Sequence, residues 1–275
     1  MAEDRPLDDQ ILTRRDGGVL WLTLNRPEVA NAVTPDQRDR LIDLLAEASA
    51  RVEVRAVVLT ATGRHFCTGA DLRHSRPGPP RPEGAPDKIA GDVSRGLQAG
   101  AQRLVAAVLD CEKPVLGAIN GTAAGIGAHL ALACDLIVAA EGVRFIEVFV
   151  RRGLVPDGGG AWLLPRHIGL QRAKELMFLG DDLAAADAER LGLVNRVVPA
   201  EDLEKVAGEW ATRLAAGPTR AIALTKALLN RSLDSDRATA FREEALAQEL
   251  NMTTHDGNEG VDSFVERREP RYLGW

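Results

Sequence analysis

The feature that most constrains this chain is the alternation of strand-type and helix-type runs over residues 54–140. "VRAVVLTA" (54–61) is short, apolar and rich in β-branched residues, the signature of a buried strand. Strand and helix signals then alternate through "KPVLGAIN" (113–120), "AAGIGAHLALA" (123–133) and "CDLIVAA" (134–140). Strands separated by helices read as βαβ units with right-handed crossovers, which predicts an α/β fold with parallel pairing. Upstream, "ILTRRDGGVLWLTLN" reads as a hairpin turning at Asp16, Gly17 and Gly18. "TPDQRDRLIDLLAEASA" begins a helix with Thr34 as N-cap, Pro35 at the first helical position and Gln37 completing a capping box.

The character changes twice more. Between Leu72 and Ala90, "RHSRPGPPRPEGAPDK" carries five prolines and no apolar period. It predicts a surface loop, either a lid over a site or a solvated insertion. After residue 200 the strand signals stop. "EDLEKVAGEWATRLAA", "TRAIALTKALLNRSL" and "RATAFREEALAQELNM" read as successive helices whose apolar faces invite self-association. We therefore divide the chain into a core at 1–200 and a C-terminal helical region at 201–275.

Charge and composition exclude several functions. A net charge of −6 and only 4% aromatic residues argue against a nucleic-acid surface, which needs basic patches and stacking platforms. No run approaches the roughly 18 apolar residues of a membrane span. The start, "MAEDRPLDDQ", is acidic and unlike a signal peptide. Cys67, Cys111 and Cys134 form no CxxC pair and suit a reducing cytoplasm. No metal-ligand spacing and no nicotinamide, flavin or P-loop motif is present, so no cofactor is expected.

Three glycine-bearing turns could carry chemistry. "HFCTGADL" (65–72) ends a strand and sets Gly69 and Ala70 before Asp71. "NGTAAGIGAHLALACD" (120–135) places glycines just ahead of a helix. Backbone N–H groups exposed at such turns can stabilise a developing oxyanion, although taken alone a tight turn with close packing is the simpler account of each. "GLVPDGGGAW" (153–162) holds one acid, Asp157, between a proline and three glycines. It either presents a carboxylate or merely caps the helix that follows.

Taken together, "HFCTGADL", "KPVLGAINGTAAGIGAHLALACDLIVAA" and "RFIEVFVRRGLVPDGGGAWLLPRHIG" resemble the enoyl-CoA hydratase/isomerase (crotonase) family, with "RPEVANAV" and "GNEGVDSFVERREPRYLGW" adding to the likeness from about residue 10 to the C-terminus. "GLVPDGGGAWLLPR" is most similar to the ring-1,2-epoxyphenylacetyl-CoA isomerase branch. The resemblance implies a spiral core of ββα units, a helical C-terminus that builds a homotrimer or a dimer of trimers and completes the active site, and an acyl-CoA substrate. Coenzyme A enters only as part of that substrate.

It also implies roles. The N–H groups of Ala70 and Ile126 would hold a thioester enolate. The two positions that carry carboxylates in hydratases are His129 and Phe149, so that pair is missing, and Glu147 lies two residues early. Asp157 sits where isomerases place a single acid/base. Arg26, Ala32, Gly69, Asp71, Leu72, Gly125, Phe149, Trp162 and, from a neighbouring subunit, Arg267 are the implied substrate and coenzyme A contacts; Val29 and Ala30 replace a basic residue expected before Asn31. The expected activity is double-bond or epoxide isomerisation through Asp157, with His129 as a possible participant. The alternatives are water addition to a 2-enoyl-CoA, a nucleophilic Asp157 assisted by His74 or His129, and an acyl-CoA binding protein without turnover.

Overall fold

Residues 5–74 and 80–275 are described by the computed structural model. A hairpin opens the fold: β1 (Ile11–Asp16) pairs antiparallel with β2 (Val19–Leu24). Then come β3 (Ala56–Ala61), β4 (His65–Cys67), β5 (Val115–Ile119), β6 (Thr122–Ala124), β7 (Leu136–Ala140), β8 (Arg144–Ile146), β9 (Asp182–Ala184) and β10 (Arg196–Val198). The helices are α1 (Leu7–Gln10), α2 (Pro35–Ala50), α3 (Asp92–Leu97), α4 (Arg103–Leu109), α5 (Ile126–Leu132), α6 (Gly160–Ile168), α7 (Leu170–Leu179), α8 (Ala185–Arg190), α9 (Leu203–Ala216), α10 (Thr219–Ser232), α11 (Arg237–Asn251) and α12 (His255–Glu266).

Two sheets share the strands. One runs β1-β2-β3-β5-β7-β10 and is parallel from β2 onward. The other runs β4-β6-β8-β9, parallel up to β8. Consecutive strands alternate between them: β3, β5 and β7 enter the large sheet, while β4, β6 and β8 enter the small one before the chain leaves into helix. This is the spiral of ββα units that the resemblance implied. The central strands β3 and β5 are buried almost throughout, as their uninterrupted apolar sequences require.

Local predictions hold where the signal is local. Thr34 accepts from the Gln37 N–H at 3.2 Å and Gln37 Oε1 accepts from the Thr34 N–H at 3.1 Å, completing the capping box of α2. The short strands β6, β8 and β9 were not legible as strands, and α12 was not legible as a helix. After β10 the chain is helical, as expected, but α9 lies against β2, β3, β5 and β7 through buried Ala207, Ala211 and Ala215. That helix belongs to the core layer, so the helices standing off the sheet begin with α10. Phe241, Leu246, Leu250, Phe264 and Val265 of α11 and α12 are exposed. Of the expected 72–90 loop, residues 80–90 contain no helix or strand, and 75–79 lie outside the described residues. Among the described residues no helix is long and apolar enough to cross a membrane.

Candidate active site

The first donor turn is built by the segment 26–33. Asn31, buried and in left-handed conformation at φ 53°, donates from Nδ2 to the carbonyls of Thr62 (2.8 Å) and His65 (2.7 Å), and its Oδ1 accepts from the Arg26 N–H at 2.7 Å. Asn tolerates that backbone better than most residues. The segment continues as a single bridge: the Val33 N–H donates to the Gly69 carbonyl and the Asp71 N–H to the Val33 carbonyl, both at 2.9 Å. Because strand backbone groups alternate in direction, this pairing turns the N–H of Ala70 away from Val33. Ala70 is exposed, and its N–H meets no acceptor among the described residues.

The second donor is the start of α5. Gly125, at φ 55° and ψ −127°, leads into the helix at Ile126, whose N–H is one of those that a helix leaves without an internal partner. The two turns sit side by side because glycine allows it. A Cβ on Gly127 would fall onto the Cys67 carbonyl at the end of β4, and one on Gly69 would stand 3.5 Å from the Ala124 carbonyl. Two backbone donors at adjoining turns can stabilise negative charge on a carbonyl oxygen.

The third turn lies over the same helix face. Ile126 and His129 are one turn apart on α5 and point together. A Cβ on Gly158 would strike the Ile126 side chain and stand 2.8 Å from His129 Nδ1, while one on Gly160 would fall onto His129 Nε2. The glycines after Asp157 therefore let the turn close on the imidazole, rather than merely marking a bend. α6 starts from Gly159 at φ 90° with no side chain capping it, so Asp157 is not a helix cap. Asp157 is half-buried, and burial raises its carboxyl above the ordinary value, with the nearby His129 opposing that shift. A carboxyl raised this way holds a proton more readily, which suits alternating proton uptake and release.

His129 is fully buried, with Nε2 3.1 Å from Glu147 Oε2 and no partner for Nδ1 among the described residues. Phe149 lies stacked on it, with ring centroids 5.2 Å apart. The two positions that the resemblance implied for a hydratase's acids thus hold an imidazole and a phenyl ring packed on each other. Glu147 faces His129, which sequence spacing did not reveal because residues 18 apart meet only across β8 and α5.

Several implied contacts are corrected. Arg26 is buried and turned inward: its guanidinium donates to Asp71 Oδ2 at 3.2 Å and to the Ala32 carbonyl at 2.9 Å, so it offers nothing to a phosphate. Asp71 is likewise a structural anion. Burial alone would raise its carboxyl, but hydrogen bonds from Arg73 and the charges of His74 and Arg73 outweigh burial and hold it at about 2. Trp162 stacks under Arg166 and lines a separate cavity of about 460 Å³ with Leu109, Pro114, Lys226, Leu229 and Leu233; Asp157, Ala70 and Ile126 are absent from its walls. Its place one turn into α6 points it away from the glycine turn.

The remaining residues fall near the site or on the surface. Gly125 adjoins Val148 and Phe149, Ala32 is half-buried beside the Ala70 turn, and Leu72 is exposed just beyond it. Arg267 ends α12 in left-handed conformation on the surface. Val105 of α4 lies beside Gly159, 3.7 Å from where a Cβ there would stand, a neighbour that sequence reading missed.

Known proteins are similar in sequence and fold over nearly the whole chain. Residues 14–274 match the family described as enoyl-CoA hydratase/isomerase. The 1,2-epoxyphenylacetyl-CoA isomerase of Escherichia coli is 36% identical, covering 96% of this chain and 98% of that protein. The short-chain-enoyl-CoA hydratase of Clostridium acetobutylicum is 32% identical, covering 95% and 96%. The crystal structure of an enoyl-CoA hydratase from Bacillus anthracis superposes with a TM-score of 0.86 at 32% identity, covering 97% of this chain and all of that one.

Proposed function

Because this chain belongs to the enoyl-CoA hydratase/isomerase family, we propose that it is an acyl-CoA isomerase that moves a double bond, using Asp157 as its single acid/base. The observation that carries the reading is the arrangement of three turns around α5: two free backbone donors beside one raised carboxyl, with no second acid at positions 129 and 149.

The chemistry follows from that arrangement. Asp157 takes a proton from C2 of a 3-enoyl thioester, and the C2–H electrons move into the carbonyl, placing negative charge on its oxygen. The N–H groups of Ala70 and Ile126 stabilise that charge, each worth roughly 10²–10³ in rate. Asp157 then returns the proton at C4, and the double bond ends between C2 and C3. Water addition would instead need groups to activate water and protonate carbon, and Phe149 can do neither. The exposed faces of α11 and α12 support a trimer in which Arg267 of one subunit reaches the coenzyme A of the next.

Incubating the protein separately with a 3-enoyl-CoA and a 2-enoyl-CoA, with mass spectrometry of the products, tests this. Conversion of the first without hydration of the second is the expected result; 3-hydroxyacyl-CoA formation would overturn it.

A further inference from the structure

Beneath the Asp157 turn lies a polar pair that the reaction as written does not use. Glu147 is 5% exposed and His129 is fully buried, and their side chains meet at 3.1 Å, the side-chain hydrogen bond of each among the described residues. A buried carboxylate is costly without a counter-charge, and among the described residues its side-chain hydrogen-bond partner is an imidazole. The stack with Phe149 fixes the ring plane. The ring's other nitrogen, Nδ1, is buried and unpartnered, and it abuts Gly158, the residue after Asp157.

We propose that Glu147 and His129 form a positioning pair for Asp157, in which Glu147 holds the imidazole as a cation whose Nδ1–H faces the Asp157–Gly158 turn. The pair is electrically neutral as a whole, yet it presents a donor on the side of the turn and the anion on the far side. It favours Asp157 as the carboxylate before C2 deprotonation and weakens as a partner once Asp157 carries the proton, which eases delivery to C4. This inference rests on Asp157 being the base. It assigns positions 129 and 147 a role in placing a proton, distinct from handling water.

The other titratable groups on the elements packed around α5 make no hydrogen bond or ion pair with His129 or Glu147 among the described residues. Cys67 of β4 has its thiol pushed up to about 12 by burial, against a weaker hydrogen bond with Gly69. His65 opens the same strand, Arg103 is exposed at the start of α4, Arg166 pairs with Asp234, and His167 bonds the Leu132 carbonyl at the far end of α5.

The test compares wild type with Glu147→Gln, His129→Gln and Asp157→Asn, measuring turnover of a 3-enoyl-CoA against pH, affinity for a saturated acyl-CoA, and thermal midpoint. The expected result for both Gln variants is kcat lowered about tenfold or more with acyl-CoA affinity unchanged. The acid limb of kcat/KM should also move to higher pH by roughly one unit, since Asp157 loses a neighbouring positive charge. If Asp157→Asn abolishes turnover while both Gln variants keep wild-type kcat and an unmoved acid limb, the inference fails and the function stands. A drop in rate that follows the thermal midpoint, with the limb unmoved, also overturns it. Full activity in Asp157→Asn would instead overturn the function itself. Should the Gln variants not fold, ¹⁵N spectra of histidine-labelled wild type decide: one exchange-protected ring protonated at both nitrogens is expected, and its absence contradicts the pair.

Discussion

The rings of His129 and Phe149 lie stacked, 5.2 Å between centroids and 15° from parallel, at the two positions that the resemblance implies for the acids of a hydratase. On the proposed single-base reading, this stack stands where an acid pair for water addition would otherwise be. Replacing both, as His129→Glu with Phe149→Glu, should introduce measurable hydration of a 2-enoyl-CoA that the wild type lacks, followed by loss of absorbance of the conjugated thioester. Wild-type hydration at an equal rate would show that the stack is no barrier.

The glycine turn and the imidazole are one packed unit, so their substitutions should not be additive. Gly160→Ala drives a methyl into His129 and should destabilise by about 1–3 kcal/mol. In a His129→Ala background the clash has no target, and the same change should cost little. A double-mutant cycle by chemical denaturation reads the coupling directly; additive effects would mean that the turn is not seated on the ring.

The Ile126 donor can be removed without touching the helix. Proline is well accommodated at the first position of a helix, where its missing N–H costs no internal hydrogen bond. Ile126→Pro should therefore lower kcat by roughly 10²–10³ while circular dichroism is unchanged, whereas Ile126→Ala, which keeps the N–H, should lose far less. Equal losses would place the effect in the side chain.

What the sequence revealed and what it hid divide along the range of the interactions. Thr34 and Gln37 are three residues apart, and their capping box was readable; so were the apolar runs of β3, β5 and β7, whose burial is written in their own residues. The three-residue strands β6 and β8 are strands because of their neighbours in the small sheet, with Ala123 pairing Phe145 and Ala124 pairing Ile146, which no local pattern announces. The backbone roles proposed for Ala70 and Ile126 rest on motif alone, which a backbone N–H allows because it does not depend on the side chain. Arg26 misled because its carboxylate partner lies 45 residues on, and a basic residue near a phosphate motif looks available until that partner is seen. Trp162 misled through helix phase: one turn along α6 it faces another cavity.

Asp71 ties the turn that presents Ala70 to the buried Arg26, and its carboxyl, held low by Arg73 and His74, should show in the pH dependence of stability. A carboxyl held at about 2 in the fold, against 3.8 ordinarily, contributes stability that is present above the ordinary value and lost as pH falls toward 2. Asp71→Asn should cost about 3–5 kcal/mol near neutral pH, because it leaves a buried guanidinium without its anion. The gap in thermal midpoint between variant and wild type should then narrow as pH drops from 4 to 2. A gap independent of pH would mean that Asp71 acts through packing alone.

The most direct measurement follows one proton. A 3-enoyl-CoA deuterated at C2, turned over in ordinary water, should give a 2-enoyl-CoA with part of its deuterium at C4, because the same carboxyl removes and returns the hydrogen; Asp157→Asn should abolish both conversion and transfer. Conversion by Asp157→Asn at the wild-type rate, or a 3-hydroxyacyl-CoA as the product, would contradict the single-base account.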